Sequence, residues 1–266
     1  MPKHTMAGER LIDHRGHLDV AELDAHDRQK DWPADLWSSL VEGLQPKLTD
    51  PCLEIGVGSG LVALRLWTAG TTVIGLDFNR SMLSRLAERL PDAPAVQGDA
   101  LHLPFGSATG GSVVLSNVLH LIPDWRGALT EIARVIRTGG SLVVNLGAGG
   151  TAPPEVREVR RRFLSHFDDL GSGHGPTTED ELTEALAGAG FEAATPVTAS
   201  GTTHRTLREV ITRLERNPFA WPSGTPREVL ESAAADVRDF ALAQFGSIDE
   251  PLEHRATVRF SSYTRS

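Results

Sequence analysis

Leu53-Glu54-Ile55-Gly56-Val57-Gly58-Ser59-Gly60 is the stretch that decides the fold of this chain. An apolar run meets alternating glycines, and a helix-forming segment follows from Leu61. This order predicts a buried parallel strand, a turn whose backbone needs positive φ and has no room for Cβ atoms, and a helix that presents its N-terminal amides to a ligand above the turn. A nucleotide-like ligand is the usual occupant. The dinucleotide fingerprint G-x-G-x-x-G would need glycine where Leu61 stands, so the spacing disfavours a dinucleotide.

A carboxylate ends the next predicted strand, Thr72-Val73-Ile74-Gly75-Leu76-Asp77. Asp77 lies about twenty residues beyond the first glycine, where βαβ nucleotide sites place an acid that binds ribose hydroxyls. One carboxylate can accept hydrogen bonds from both hydroxyls of a ribose diol. The alternative is a helix N-cap, because Asn79 and Ser81 open an amphipathic helix through Leu90. The glycine turn one unit upstream favours ribose binding.

Two further segments carry polar residues at expected strand ends. Ala95 to Phe105 contains Asp99, which is either a ligand contact or a turn residue that caps the next segment. Ser112 to Asp124 reads as a parallel-type strand with its polar residues at the C-terminal end. Open α/β sheets bind their ligands at the carboxyl ends of the strands, so Asn117 and His120 point toward the expected site.

These four motifs, in this order over roughly residues 50 to 147, resemble those of the class I S-adenosylmethionine (SAM) methyltransferases. The likeness is to the ubiquinone/menaquinone-biosynthesis-like branch, which acts on small molecules. It implies a Rossmann-like α/β fold: a seven-stranded, mostly parallel sheet with its last strand antiparallel, helices on both faces, and a helical cap and insertions. It also implies SAM as the cofactor and transfer of its methyl group to a small-molecule acceptor.

The resemblance also assigns cofactor contacts, position by position. Glu54 braces the glycine loop near the methionine amine, Asp99 contacts the adenine amino group, and the backbone amide of Ala100 contacts a ring nitrogen. The full set of implied cofactor-binding residues is Glu54, Gly56, Gly58, Gly60, Asp77, Phe78, Asp99, Ala100 and Asn117.

The rest of the chain divides around this core. Residues 1–49 are expected to form an N-terminal helical cap, with a helix around Pro33 to Leu44, and residues 50–266 the SAM-binding domain. Substrate-side insertions are expected at about 148–177 and 204–250. The predicted elements of the second half are a helix over Trp125 to Arg137, a strand over Ser141 to Leu146, a helix opened by a Thr178/Glu181 capping box, and strands over Phe191 to Ala199 and Arg255 to Tyr263.

Two short segments in the insertions have two readings each. The cluster Gly171-Ser172-Gly173-His174-Gly175 is either a hinge of a lid or an ordinary exposed loop. The proline-bounded segment Phe219 to Pro222 either joins two helices as a hydrophobic plug or lines an apolar substrate pocket. The plug is the favoured reading.

A general base would accept the proton of a hydroxyl or amine acceptor, whereas a carbon nucleophile in an activated ring would need no strong base. His120 is the best-placed candidate; its alternative is a structural histidine packed between Leu119 and Leu121. His174 and His204 are weaker candidates. No metal site is predicted, since the His14/His17 region with its aspartates is a polar run of the kind that is mostly solvated.

Composition limits the partners. The net charge of −9, with an isoelectric point near 5.6, disfavours a nucleic-acid substrate. The run Arg157 to Arg162 reads as a solvated helix face. The lone Cys52 excludes a disulfide within the chain and is expected to be a small buried hydrophobe. No apolar run reaches about eighteen residues, and Met1 to Arg15 has no apolar signal core, so the sequence predicts a cytoplasmic protein without a membrane span.

Two alternatives to methyl transfer remain. One is a protein of the same fold that binds SAM for a regulatory role or for non-methylating chemistry. The other is a nicotinamide-dependent oxidoreductase, which Leu61 disfavours. Turnover of labelled SAM separates the first from a methyltransferase, and binding of NAD would support the second.

Overall fold

The computed structural model describes residue 27 and residues 32–150, 152–167, 174–216 and 225–266. The His14/His17 region, most of the predicted glycine hinge and the segment Phe219 to Pro222 lie outside the described residues. The helices are α1 (Ala34–Leu44), α2 (Leu61–Thr68), α3 (Arg80–Arg89), α4 (Trp125–Val135), α5 (Pro154–Leu164), α6 (Glu179–Gly188), α7 (Leu207–Arg216) and α8 (Arg227–Phe245). The strands are β1 (Cys52–Ile55), β2 (Val73–Asp77), β3 (Ala95–Gln97), β4 (Gly110–Ser116), β5 (Ile136–Asn145), β6 (Ala148–Gly150), β7 (Phe191–Arg205) and β8 (Leu252–Arg265).

The strands form one mixed sheet in the order β3-β2-β1-β4-β5-β8, with β7 on the far side of β8. The first five strands are parallel to one another, and β8 is antiparallel to both β5 and β7. The predicted Rossmann-like architecture with an antiparallel last strand is therefore confirmed. The sheet has one strand more than predicted: β6, of three residues, pairs antiparallel with Ala256 to Val258 of β8.

The sheet buries a different apolar cluster on each face. On one face, the alternate residues Cys52, Val114 and Val143 pack under α1, α2 and α3. On the other, neighbouring positions such as Val113 and Val144 pack under α4 and α6. Strands buried on both faces are near-continuous apolar runs, and β4 is buried throughout.

Several boundaries differ from those predicted. Helix α4 ends at Val135, two residues early, because Ile136 is already extended and pairs with Gly110 of β4. Thr178 does cap α6, since its hydroxyl accepts the Glu181 amide. The Glu181 carboxylate, however, accepts the amide of Thr177 and not that of the cap residue itself.

Strands β7 and β8 are both longer than predicted, and the extra length bears on the site. Val144 of β5 pairs with Ser261, so the part of β8 before Val258 lies beyond the carboxyl end of β5. That part pairs with Ser200 to Arg205 of β7. Polar residues in this extension hid it from a reading based on apolar alternation. Strands β7 and β8 thus extend beyond the carboxyl ends of the parallel strands, where the ligand is expected to bind.

Helices α5, α7 and α8 form a third apolar cluster, which we call the helical cluster. Its core is made mainly of small and branched side chains: Val156, Val159, Phe163, Leu207, Val210, Ile211, Ala233, Ala234, Val237, Ala241 and Ile248. Helix α5 follows β6, α7 follows β7, and α8 precedes β8. The two predicted insertions therefore meet in one unit, attached to the strands that run past the carboxyl edge.

Candidate functional site

The glycine loop between β1 and α2 has the backbone that its sequence requires. Gly56, Gly58 and Gly60 have φ values of 69°, 56° and 80°. A Cβ atom on Gly56 would clash with the side chain of Val118, and one on Gly60 with that of Leu86. Positive φ and close neighbours together explain why only glycine fits here. The loop is thereby kept narrow directly above the carboxyl end of β1.

Asp77 ties the end of β2 to this loop. Its Oδ2 atom accepts the backbone N–H of Gly58 at 2.8 Å, and its Oδ1 atom accepts that of Asn79 at 2.8 Å. The N-cap of α3 is Asn79, whose side chain accepts the amides of Ser81 and Met82. Since another residue caps the helix, the N-cap alternative does not account for Asp77. Asp77 is the last residue of β2 and accepts a hydrogen bond from the glycine loop.

Phe78 and Asp99 follow the ends of the adjacent strands β2 and β3. The Phe78 side chain is 37% exposed, among the large apolar side chains least covered by the described protein. Its backbone carbonyl accepts a hydrogen bond from Gln97 Nε2 at 3.1 Å. Asp99 Oδ1 accepts the Leu101 amide at 2.9 Å, so the turn role considered from the sequence is present. Ala100, next to it, is half-buried.

Polar side chains are buried at the ends of the three central strands. Glu54 on β1 is fully buried, Ser116 ends β4 at 3% exposure, and Asn145 ends β5 at 2%. Glu54 pairs with Val114, two residues before Ser116, so these polar residues project on the same face of the sheet. Asn117 adopts positive φ, 59°, and donates its backbone N–H to the Asn145 carbonyl at 2.8 Å. The carboxyl ends of the three central strands therefore carry a buried polar patch, although the rest of these strands is mostly apolar.

His120 lies in a 3₁₀ turn, Leu119–Leu121, just beyond the end of β4. It is half-buried, and Gly175 packs against it so closely that a Cβ there would lie 2.9 Å from the His120 backbone nitrogen. The segment carrying His174 is thus next to His120. His204 lies elsewhere, near the end of β7, with a side chain 59% exposed and 3.5 Å from Glu253.

Residues 53–144, which carry the glycine loop, Asp77, Asp99 and His120, match the protein family described as "Methyltransferase domain". The chain contains a class I SAM-dependent methyltransferase domain. The cofactor of this domain is S-adenosyl-L-methionine, as predicted from the sequence.

Curated proteins are similar to this chain over part of its length. The demethylmenaquinone methyltransferase of Corynebacterium kroppenstedtii is 37% identical over 110 residues, which are 41% of this chain and 47% of the relative. The phosphatidylethanolamine N-methyltransferase of Cereibacter sphaeroides is 36% identical over 138 residues, 49% of this chain and 66% of the relative. The chain thus spans about half the length of the first curated relatives it matches.

Solved structures share the fold of the methyltransferase domain. The phosphoethanolamine N-methyltransferase 2 of Haemonchus contortus superposes with a TM-score of 0.54 at 16% identity, over 91% of this chain and 56% of that one. At this identity the likeness concerns the fold alone.

Ser116, Ser59 and Asn145 are polar residues of the methyltransferase domain that sequence reasoning passed over. Ser116 Oγ is buried and makes no hydrogen bond to the described part of the chain. Asn145 Nδ2 donates to the carbonyls of Gly147 and Arg259. Ser116 and Asn145 each end an apolar run, and that signal was available in the sequence, whereas Ser59 lies between two glycines and has no such signal.

Cys52, the first residue of β1, is buried. Burial raises the pKa of Cys52 to about 11, so its thiol stays protonated and behaves as the small buried hydrophobe predicted. Among the described residues, no group of three or more histidines, cysteines and carboxylates could hold a metal ion. None of the helices in the described ranges is long and apolar enough to cross a membrane.

Proposed function

We propose that the protein transfers the methyl group of S-adenosyl-L-methionine to a small-molecule acceptor and releases S-adenosylhomocysteine. The observation that carries the proposal is the glycine loop, held in positive φ and tied by Gly58 to the Asp77 carboxylate. Its shape fits a ligand that lies across the backbone with no side chain between them. The proposal covers the activity of the whole chain, the class of its acceptor and the roles of the residues at the site.

The cofactor would be held at the carboxyl ends of four adjacent strands. Asp77 would bind the ribose hydroxyls, and the glycine loop (Gly56, Gly58 and Gly60) would pass under the methionine half. Phe78 would contact the adenine, supported by its exposure at the end of β2. These positions lie side by side because β2 and β1 are neighbours in the sheet.

The remaining cofactor contacts complete the two ends of the site. Asp99 and the amide of Ala100 would bind the edge of the adenine, since β3 is the next strand beyond β2. Glu54 would brace the loop near the methionine amine. Asn117 would lie at the same end, supported by its hydrogen bond to Asn145 at the edge.

The chemistry follows from what must be held in place. When bound, the sulfonium supplies an electrophilic methyl group. The protein must then align an acceptor atom about 3 Å away and exclude water. His120, at the end of β4, would accept the proton of a hydroxyl or amine acceptor. The contact of Gly175 with its backbone supports this role, because it fixes the turn that carries the histidine.

The acceptor is proposed to be a small molecule and not a nucleic acid. A net charge of −9 would repel a polyanion from the surface as a whole. The curated relatives carry names that refer to demethylmenaquinone and phosphatidylethanolamine, which are small molecules. A cytoplasmic location belongs to the proposal too, supported by a single, buried cysteine in a chain that needs no oxidising compartment.

The domain division is also proposed. Residues 1–49 would act as a cap on the SAM-binding domain of residues 50–266, with substrate-side insertions at about 148–177 and 204–250. Two contacts support the cap: Asp27 binds Ser59 of the glycine loop, and Gly43 of α1 packs against Val197 of β7. The helical cluster supports the insertions, because it is attached to strands that pass the carboxyl edge.

Calorimetry with SAM, S-adenosylhomocysteine and NAD tests the proposal. We expect micromolar binding of both sulfur nucleotides and none of NAD. Turnover of labelled SAM with a panel of quinone, amine and hydroxyl acceptors then separates a methyltransferase from a protein that binds SAM without methyl transfer. Binding of NAD in place of the sulfur nucleotides would overturn the proposal.

A further inference from the structure

Ser59 occupies a variable position of the glycine loop, yet it is one of the most buried polar residues of the protein, at 1% exposure. A serine between two glycines of a cofactor loop has no intrinsic reason to be buried. Two of its polar groups, the hydroxyl and the backbone carbonyl, make hydrogen bonds to other side chains. These partners come from two other parts of the chain.

Three hydrogen bonds join Asp27, Ser59 and Arg89 in a closed ring. The Ser59 hydroxyl donates to Asp27 Oδ1, and Arg89 Nη1 donates to the Ser59 carbonyl. Arg89 Nη2 closes the ring by donating to Asp27 Oδ2 at 2.7 Å. A second cation, Arg85, stands 3.6 Å from the same carboxylate oxygen. The carboxylate of Asp27 therefore joins the glycine loop to the end of α3.

The ring is shielded from solvent. The Asp27 side chain is 14% exposed and that of Arg89 21%. Hydrogen bonds to charged groups contribute more than neutral ones, and their loss costs most where the remaining partner stays buried. Removing the Asp27 carboxylate would leave the Ser59 hydroxyl without its acceptor and Arg89 without this counter-charge.

Helix α3 contacts the glycine loop through the ring and through a second side chain. Leu86, one turn before Arg89 on that helix, fills the space beside Gly60. Asp77 holds the adjacent amide, that of Gly58, from the end of β2. A glycine-rich loop has many accessible backbone conformations, so each fixed peptide lowers the entropy that ligand binding must remove.

We propose that Asp27 is a positioning residue for the cofactor: through Ser59 and Arg89 it holds the glycine loop in the conformation that binds SAM. It touches neither the reacting atoms nor the acceptor. Its loss should therefore weaken nucleotide binding and raise the KM for SAM without changing the chemical step. This inference rests on the proposed function, because it takes SAM to be the ligand of the loop.

The test compares Asp27→Ala, Asp27→Asn, Ser59→Ala and the double variant Asp27→Ala/Ser59→Ala with the wild type. We expect Asp27→Ala to weaken binding of S-adenosylhomocysteine about tenfold, the effect of losing one hydrogen bond to a charged group. Asp27→Asn keeps an oxygen that can accept the Ser59 hydroxyl and should rescue part of the affinity. The double variant should bind about as weakly as Asp27→Ala, since both changes break the same ring.

The control is Glu88→Ala, which removes a carboxylate from the same neighbourhood. Glu88 is 69% exposed and also pairs with Arg85, but it lies outside the ring. It should bind the nucleotide like the wild type. With saturating SAM, the kcat of Asp27→Ala should stay within about twofold of the wild type, because only binding is affected.

Two failures are distinguishable. If the wild type binds neither SAM nor S-adenosylhomocysteine, the proposed function fails and this inference falls with it. If the wild type binds and Asp27→Ala binds equally well, or if Asp27→Ala lowers kcat at saturating SAM as much as it lowers affinity, the positioning role alone is overturned. Asp27→Asn, nearly the same size as the native residue, decides the question if Asp27→Ala does not fold.

Discussion

The cofactor half of the sheet and the helical cluster beyond its edge are held together by different means. In the first, strands buried on both faces meet a glycine loop whose close approaches leave no space for a side chain. In the second, a core rich in alanine and valine is joined by ion pairs at its surface. Arg162 of α5 binds Asp236 of α8 through two hydrogen bonds of 2.9 Å, and Glu215 of α7 binds Arg238 of α8. Close packing dictates which residues the loop of the first region can carry, whereas in the second region ion pairs between separate helices add to the apolar packing.

The largest expected effect tests whether the cofactor half also carries the chemistry. His120→Ala should lower turnover of labelled SAM by about 10²- to 10⁴-fold for a hydroxyl or amine acceptor, because a general base is lost. The affinity for S-adenosylhomocysteine, measured by calorimetry, should stay close to that of the wild type. His204→Ala, which changes an exposed histidine on β7, is the matched control. Unchanged turnover in His120→Ala would make the assignment of the base wrong.

Asp77→Ala should have the next largest effect, on binding itself. The substitution removes the proposed ribose contact and also frees the Gly58 and Asn79 amides that the carboxylate holds. Each hydrogen bond to a charged group contributes about 1.5–3 kcal/mol, so we expect S-adenosylhomocysteine to bind at least about thirtyfold more weakly. Asp92→Ala, an exposed carboxylate after α3, should bind normally. A dissociation constant for Asp77→Ala within threefold of the wild type would contradict the role.

The contrast between the two regions also explains what the sequence could predict. The positive φ of Gly56 and Gly60 and the position of Asp77 at the end of β2 could be predicted because each signal is local: a backbone conformation, a helix start, or the end of an apolar run. The cofactor contacts of these residues stay predictions. The joining of α5 to α7 and α8 was not predicted, since periodicity identifies an apolar helix face but not its partner. The hydrogen bond between Ser59 and Asp27 was not predicted for the same reason, because a contact across 32 residues has no periodic signature.

The helical cluster can be tested without touching the cofactor half. Asp236→Ala removes the acceptor of Arg162 and also of His166, whose Nε2 lies 2.9 Å from the same carboxylate. The side chains are more than a third exposed, so we expect a loss of only about 1 kcal/mol in the free energy of unfolding, measured in urea. Asp239→Ala, an exposed position on the same helix, is the control. Equal stability of the two variants would show that the apolar core alone joins the helices.

The same carboxylate predicts an acid sensitivity. Hydrogen bonds from Arg162 and His166 lower the pKa of Asp236 below its usual 3.8. A carboxyl group with a lowered pKa contributes its stability above the usual value and loses it as the pH falls through the lowered one. The stability difference between the wild type and Asp236→Ala should therefore shrink as the pH falls below about 4. A difference that stays constant in acid would exclude ionic pairing as its cause.

The smallest effect concerns the strand extension that links the two regions. Burial lowers the pKa of His254 on β8 below its usual 6.5, and the charge of Arg205 on β7 lowers it further. The folded protein thus holds this histidine neutral. Because the unfolded chain takes up the proton first, the stability present above about pH 6.5 should decline as the pH falls. His254→Gln should lose this part of the pH dependence in urea unfolding at pH 7.5 and 5.5, whereas His102→Gln, a change at a histidine that is 83% exposed and far along the chain, should keep it. If the stability of His254→Gln and that of the wild type changed equally with pH, the folded strand extension would accommodate a charged histidine as readily as water does.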